Sequence, residues 1–229
     1  MNITILVLGI ISSLLMVILP IPQLITTFKT KNVDNVSYPA FYIYFFGGAL
    51  FVAVMTMLKK TPFDLANDPI INIVGNTLFI GLMATTITLF MVLDKKVKKA
   101  LKLIGVIPLW VIFISLATWW IIEYSLYRTG YFDNNNTFIT IVTIIANTCT
   151  ALPFVAQIIK TLKTKSAEGV SFVLLACGYL INMLLLVYFG LLLPMFSAMW
   201  WVTLLFQSAG ALVYVIQIIV CVALQKENV

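Results

Sequence analysis

The 229-residue chain has no histidine, only 10% charged residues and three cysteines, and each shortage removes a class of function. Without histidine there is no imidazole to titrate near neutral pH, ligate zinc or act as a general base. Cys149, Cys177 and Cys221 stand far apart inside apolar runs. They form neither a CxxC pair nor a disulfide framework, and read as small apolar side chains. Of the eight carboxylates, seven fall in expected loops or the tail and Glu123 near a helix end. No metal cluster, nucleophile–base pair or carboxylate dyad accompanies them, so neither an enzyme nor a cofactor is expected. Charge this sparse cannot coat the surface of a soluble domain.

What the chain has in abundance is apolar sequence: 62% hydrophobic residues and a mean hydropathy of +1.09. The apolar residues gather into runs at 3–28, 38–58, 69–93, 101–124, 138–159, 171–193 and 197–224. Each is about the 20 residues needed to cross about 30 Å of hydrocarbon, so the expected fold is an all-α membrane protein with seven transmembrane helices. The first run starts without a basic flank or a small-residue cleavage site and reads as a retained helix. Eleven of the fourteen Lys and Arg lie in the odd-numbered loops and the C-terminal tail. Because cytoplasmic loops are enriched in basic residues, the N-terminus is expected outside and the C-terminus inside. The net charge of +6 is thereby a matter of loop placement, and no nucleic-acid partner is implied.

An internal repeat is the most specific signal in the sequence. Residues 23–38 match residues 157–172 at a constant offset of 134, with 8 of 16 positions identical, and Asp34 keeps its charge in Glu168. Each copy lies at the expected cytoplasmic end of the first helix of a three-helix set. Three helices is an odd number, so direct joining would invert the second set, and the fourth helix restores its direction. The division is therefore 1–93 for the first set, 94–130 for a basic loop and linker helix, and 131–229 for the second. The two sets are expected to be parallel repeats about an axis along the membrane normal.

Leu19-Pro20-Ile21-Pro22-Gln23, followed by Phe28-Lys29-Thr30-Lys31 and Val36-Ser37, resembles the PQ-loop signature. Pro153 through Gln157, with Lys163-Thr164-Lys165 and Glu168-Gly169-Val170-Ser171, is similar to a degenerate second copy. The whole 3+1+3 layout resembles the SWEET facilitators and the wider PQ-loop superfamily. That resemblance implies hinge-like kinks at Pro22 and Pro153, with Gln23 and Gln157 as the motif glutamines. It also implies a solute site at Asn72, from Asn72-Ile-Val-Gly75-Asn76 in the third helix, and at Gln207, from Gln207-Ser-Ala-Gly210 in the seventh. Sugar-binding members place a Trp in helices 2 and 6, where this chain has Phe51 and Leu185.

Buried polar residues in a membrane are costly and need a reason, and amides both donate and accept hydrogen bonds. Asn72 corresponds to Gln207 at an offset of 135, so the two would face each other across the pseudo-two-fold axis. Asn76, one turn from Asn72, and Asn182 are further candidates. For these two, and for Asn147 and Gln217, interhelical hydrogen bonding is the stronger reading.

The expected activity is uncoupled alternating-access diffusion of a small polar solute, sugar or sugar-like, across the cell membrane. No carboxylate lies at mid-depth to relay protons. Proton-coupled relatives use such acids. A vitamin, nucleoside or amino-acid carrier of the same fold is one alternative, and a non-transporting receptor or scaffold is another. A retinal protein is excluded because residues 197–224 hold no lysine for a Schiff base. The expected partners are the solute, the lipid bilayer and, left open, further copies of the chain.

Overall fold

Uninterrupted apolar sequence in a medium without water forces every backbone polar group to pair within its own segment, and helices are the result. The computed structural model describes residues 3–31, 33, 38–59, 68–126, 130–164 and 172–227. Parts of both motif copies (Asp34, Val36 and Ser37; Lys165 to Ser171) lie outside the described residues, as do Lys60, Asp64 and Arg128. Eight helices are described: α1 (Ile3–Ile18), α2 (Ile21–Thr30), α3 (Tyr38–Met57), α4 (Ile70–Leu93), α5 (Lys99–Ser125), α6 (Thr137–Thr164), α7 (Phe172–Leu192) and α8 (Ala198–Glu227). Among the described residues there is no strand, only an isolated bridge between Leu58 and Phe132.

The first expected span is two helices rather than one. Pro20 and Pro22 lack the N–H groups that would continue the ladder of α1, and the chain turns at Leu19–Pro20 before α2 begins. Pro22 stands in the first turn of α2, where a missing donor costs nothing. By contrast α6 runs unbroken through Pro153. Among the described residues six segments are long and apolar enough to cross a bilayer, with α1 and α2 counted together, and α6 contributes a shorter apolar stretch, Thr137–Ala151.

Local side chains set several helix starts. Asp68 Oδ1 accepts from Ile70 N at 2.8 Å and opens α4. Asn136 Oδ1 accepts from Phe138 N at 3.0 Å and opens α6, while Ser197 Oγ accepts from Trp200 N at 3.2 Å and opens α8. Inside the bundle, hydroxyls such as Thr56 and Thr77 bond back to the carbonyl four residues earlier, at 2.7 Å each. That keeps them satisfied without water.

The packing repeats itself. In the first set α4 touches both α1 and α3; in the second α8 touches both α6 and α7. Between the sets α1 packs on α7 and α3 packs on α6, which is one contact seen twice when the sets are exchanged. Helix α5 packs only on α3 and α4 among the described elements, tied by Trp110 Nε1 to Thr88 Oγ1 at 3.0 Å and Tyr42 OH to Gly105 O at 3.2 Å. Its far face presents Ile104, Ile107, Val111 and Ile114, all exposed. Those apolar residues face outward while Asn72, Asn76, Asn147 and Gln207 are buried. A solvent of lipid rather than water explains that inversion, and the chain is a multi-pass membrane protein.

One loop closes one end of the bundle. Residues 130–136 bond to the end of α3 through Tyr131 N to Met57 O at 2.8 Å and Lys59 N to Phe132 O at 2.9 Å. The same loop reaches the start of α8 through Met199 N to Asn134 O at 3.2 Å and Ala198 N to Asn135 Oδ1 at 2.9 Å.

Candidate functional site

Where the two sets meet, the helices leave a cavity of about 90 Å³. From the first set α1 contributes Met16, α3 contributes Tyr44, Gly48 and Phe51, and α4 contributes Asn72, Asn76 and Phe79. From the second set come Asn147 and Thr150 on α6, Gly178, Asn182, Leu185 and Phe189 on α7, and Phe206, Gln207, Gly210 and Tyr214 on α8. Among the described residues no charged side chain lines it. Leu19, the residue at the break between α1 and α2, also borders the cavity.

The structure therefore brings Asn72, Asn76, Asn182 and Gln207 to one space. Asn76 Nδ2 donates to both the backbone O and Oδ1 of Asn72, at 2.9 Å each. Asn182 Nδ2 donates to Gly178 O at 2.8 Å. Gln207 is only 7% exposed, and among the described residues its amide has no hydrogen-bond partner. Leaving such a group unpaired costs about 1–3 kcal/mol, so its place at a cavity wall calls for a ligand or water.

Several residues here escaped the sequence reading. Asn147, expected to bond between helices, donates Nδ2 within its own helix to Thr143 O at 2.9 Å and borders the cavity. Tyr44 and Tyr214 were not singled out. Their hydroxyls hydrogen-bond to each other, joining α3 of one set to α8 of the other. The repeat offset carried the signal: Tyr44 corresponds to Gly178, and Tyr214 packs on Gly178 so closely that a Cβ there would meet the ring.

The motif residues stand elsewhere. Gln23, on α2, donates Nε2 to Thr27 Oγ1 at 3.1 Å and does not border the cavity. Gln157 lies in α6 with its side chain outside the described atoms, and Pro153 is half-buried in the same helix. Gln217 donates to Thr161 Oγ1 at 3.1 Å, away from the cavity, in line with a structural role.

Two carboxylates are buried toward the closed end. Asp68, which precedes α4, accepts from Tyr124 OH, and Glu123 accepts from Tyr131 OH at 2.7 Å and Trp119 Nε1 at 3.3 Å. The sequence reading placed both near segment ends, where they are. It did not anticipate their burial: Asp68 gains its partner from α5, 56 positions away, and Glu123 is covered by its near neighbours Trp119 and Tyr131. At the opposite end Asp94 accepts from Lys96 N at 2.8 Å and Tyr38 OH at 2.9 Å. Those hydrogen bonds, helped by the charges of Lys96 and Lys102, hold its carboxyl below the usual carboxylate range.

Among the described residues no group of His, Cys, Asp or Glu is arranged to hold a metal ion. No curated protein matches the chain. The family described as PQ loop repeat matches residues 4–64, which carry α1 to α3, and residues 138–194, which carry most of α6 and all of α7. Those are corresponding parts of the two copies found in the sequence, and together they cover half of the chain. The chain belongs to the PQ-loop repeat family.

Proposed function

We propose that the chain is a transporter moving a small uncharged polar solute across the cell membrane by uncoupled alternating access. The observation that carries this reading is the cavity itself. It sits at the seam between the two repeats, is walled by five amides bearing no charge, and holds the buried amide of Gln207, which has no hydrogen-bond partner among the described residues. A seam between packed, repeated units is where rocking of one against the other would open a path first to one side and then to the other. A neutral wall suits neutral cargo, since an ion would lose its hydration with no opposite charge to replace it.

The same reading takes α1 and α2 as one crossing and α6 as a full crossing, which makes seven. Residues 1–93 and 131–229 are then the moving units, with 94–130 as the connector. It places the basic loops and the C-terminus in the cytoplasm. Pro22 and Pro153 act as hinges, joined by the break at Leu19–Pro20. Sugars, implied by the family resemblance, are one class of cargo to try.

The test is counterflow by purified protein in liposomes. Labelled glucose, sucrose, neutral amino acids and nicotinamide riboside are offered with and without a pH gradient. Saturable uptake indifferent to the gradient supports the reading. Gradient-dependent uptake would point to Asp68 or Glu123 as a coupling group and contradict the uncoupled mechanism. Binding without any flux would favour a receptor.

A further inference from the structure

Resting on that reading, the polarity of the cavity walls narrows the class of cargo. Asn147 and Asn182 each donate Nδ2 to the carbonyl four residues earlier, at 2.9 and 2.8 Å. Only the NH₂ half of an amide can donate, so chemistry fixes which way both side chains face. What each has left is the oxygen, an acceptor. Asn72 is the reverse. Its Oδ1 is taken by Asn76 Nδ2, and what remains is its NH₂, a donor. Asn76, its Nδ2 spent on Asn72, likewise keeps its Oδ1, so the first repeat offers a donor beside an acceptor while α6 and α7 of the second offer acceptors. Gln207 completes the set with both halves of its amide uncommitted among the described residues.

The other polar groups at the wall are engaged. Tyr44 and Tyr214 bond to each other, and Thr150 Oγ1 donates to Asn147 O at 2.9 Å. The remainder of the wall is largely aromatic and aliphatic, with Phe51, Phe79, Phe189 and Phe206 prominent. A ring sugar carries several hydroxyls, each needing both to donate and to accept, and most would meet phenyl rings. A lactam or ureide presents N–H and C=O side by side on a flat, otherwise apolar body. That edge pairs at two points with the amide of Gln207. The second N–H of a ureide suits Asn147 or Asn182, and its second carbonyl suits Asn72. At about 10–15 Å³ per water-sized group, 90 Å³ admits about six to nine such groups, the size of one substituted six-membered ring.

We infer that the cavity between the repeats is a site for a small, planar, uncharged cyclic amide, a lactam or ureide, held in one orientation by a donor from α4 and acceptors from α6 and α7. Two copies of one ancestral wall would accept a solute either way round; here the second wall carries the surplus of acceptors, on Asn147 and Asn182, and that surplus sets the orientation.

The experiment is equilibrium binding of labelled uracil to the full chain in lipid nanodiscs. Competition by 1,3-dimethyluracil, which has the same ring without N–H donors, and by glucose completes it. Uracil is expected to bind saturably, and both competitors to be weaker by about tenfold or more. Equal competition by dimethyluracil, displacement by glucose, or no saturable uracil binding would each overturn the assignment. As a second arm, Asn147→Leu with Asn182→Leu should narrow the preference for uracil over dimethyluracil several-fold, since two of the acceptors that tell them apart are gone. An undiminished preference would overturn the assignment. Because these readouts are binding, they separate from flux. Uracil bound but not carried supports the site and contradicts transport, while glucose carried with uracil ignored contradicts the site alone.

Discussion

At the scale of single residues, the amides at the cavity carry the account. Among the described residues Gln207 is buried without a hydrogen-bond partner, and the NH₂ of Asn72 is uncommitted. Asn72→Ala and Gln207→Ala are each expected to lower solute flux by about tenfold with membrane expression unchanged. Uptake per protein, against expression measured by fluorescence-detected chromatography, checks this, and normal flux in both would make the amides structural. A second prediction concerns Asp94. Its carboxyl sits below the ordinary range, so the stabilisation it gives is full above the unfolded value and is lost only as pH falls through the lowered one. The difference in melting temperature between the parent and Asp94→Asn should therefore hold steady from about pH 8 to about pH 5. It should shrink below about pH 4. A difference that vanished by pH 6 would refute the assignment.

Among the elements, the break in the first span is the main departure from the sequence reading. Pro20 and Pro22 both remove donors within three residues, and a residue before proline disfavours the helical region, which places the turn at Leu19. At the repeat offset Leu19 corresponds to Pro153, while Pro20 and Pro22 correspond to Phe154 and Ala156. One proline is bridged by the continuous α6; two are not. Pro20→Ala restores a donor at the break and is expected to slow exchange several-fold while leaving solute affinity largely unchanged. Pro22→Ala, in a first turn that needs no donor, should slow it less. Equal effects, or a loss of affinity instead of rate, would remove the hinge from this position. Close approach of helices supplies another test. A Cβ on Gly75 would lie 2.6 Å from Ser13 Oγ, where α1 crosses α4 and Ser13 donates to Ile71 O. Gly75→Val should cost about 1–3 kcal/mol by forcing that crossing apart, read as a lowered melting temperature.

Much of this was legible before any coordinates. Helices followed from apolar runs, and the repeat from its constant offset. Four of the five cavity amides, Asn72, Asn76, Asn182 and Gln207, stood out because polar side chains at such depth are rare. What stayed hidden has a common cause. Tyr44 and Tyr214 are ordinary residues for a membrane helix, and Asn147 is chemically no different from a structural asparagine. Only the meeting of α3, α6 and α8 sets them at the cavity. Asp68 looked like a loop residue because its partner Tyr124 lies 56 positions away.

For the molecule as a whole, orientation and access are the properties to measure. The distribution of lysines predicts that a cysteine replacing Lys98 reacts with impermeant thiol reagents from the cytoplasmic side only, and one replacing Asn135 from the outside only. Reaction in the opposite sense would invert the topology. The two packed repeats, joined across the cavity by Tyr44 and Tyr214 and at one end by residues 130–136, make a body with a closed end and a central chamber. A transporter must open that chamber to each side in turn, whereas a receptor needs only one opening. The most direct test places a single cysteine in the chamber wall, Val213→Cys, with Cys149, Cys177 and Cys221 replaced by serine, in sealed vesicles of known orientation. Alternating access predicts modification by a small impermeant thiol reagent added to either side; modification from one side alone, or from neither, would contradict it.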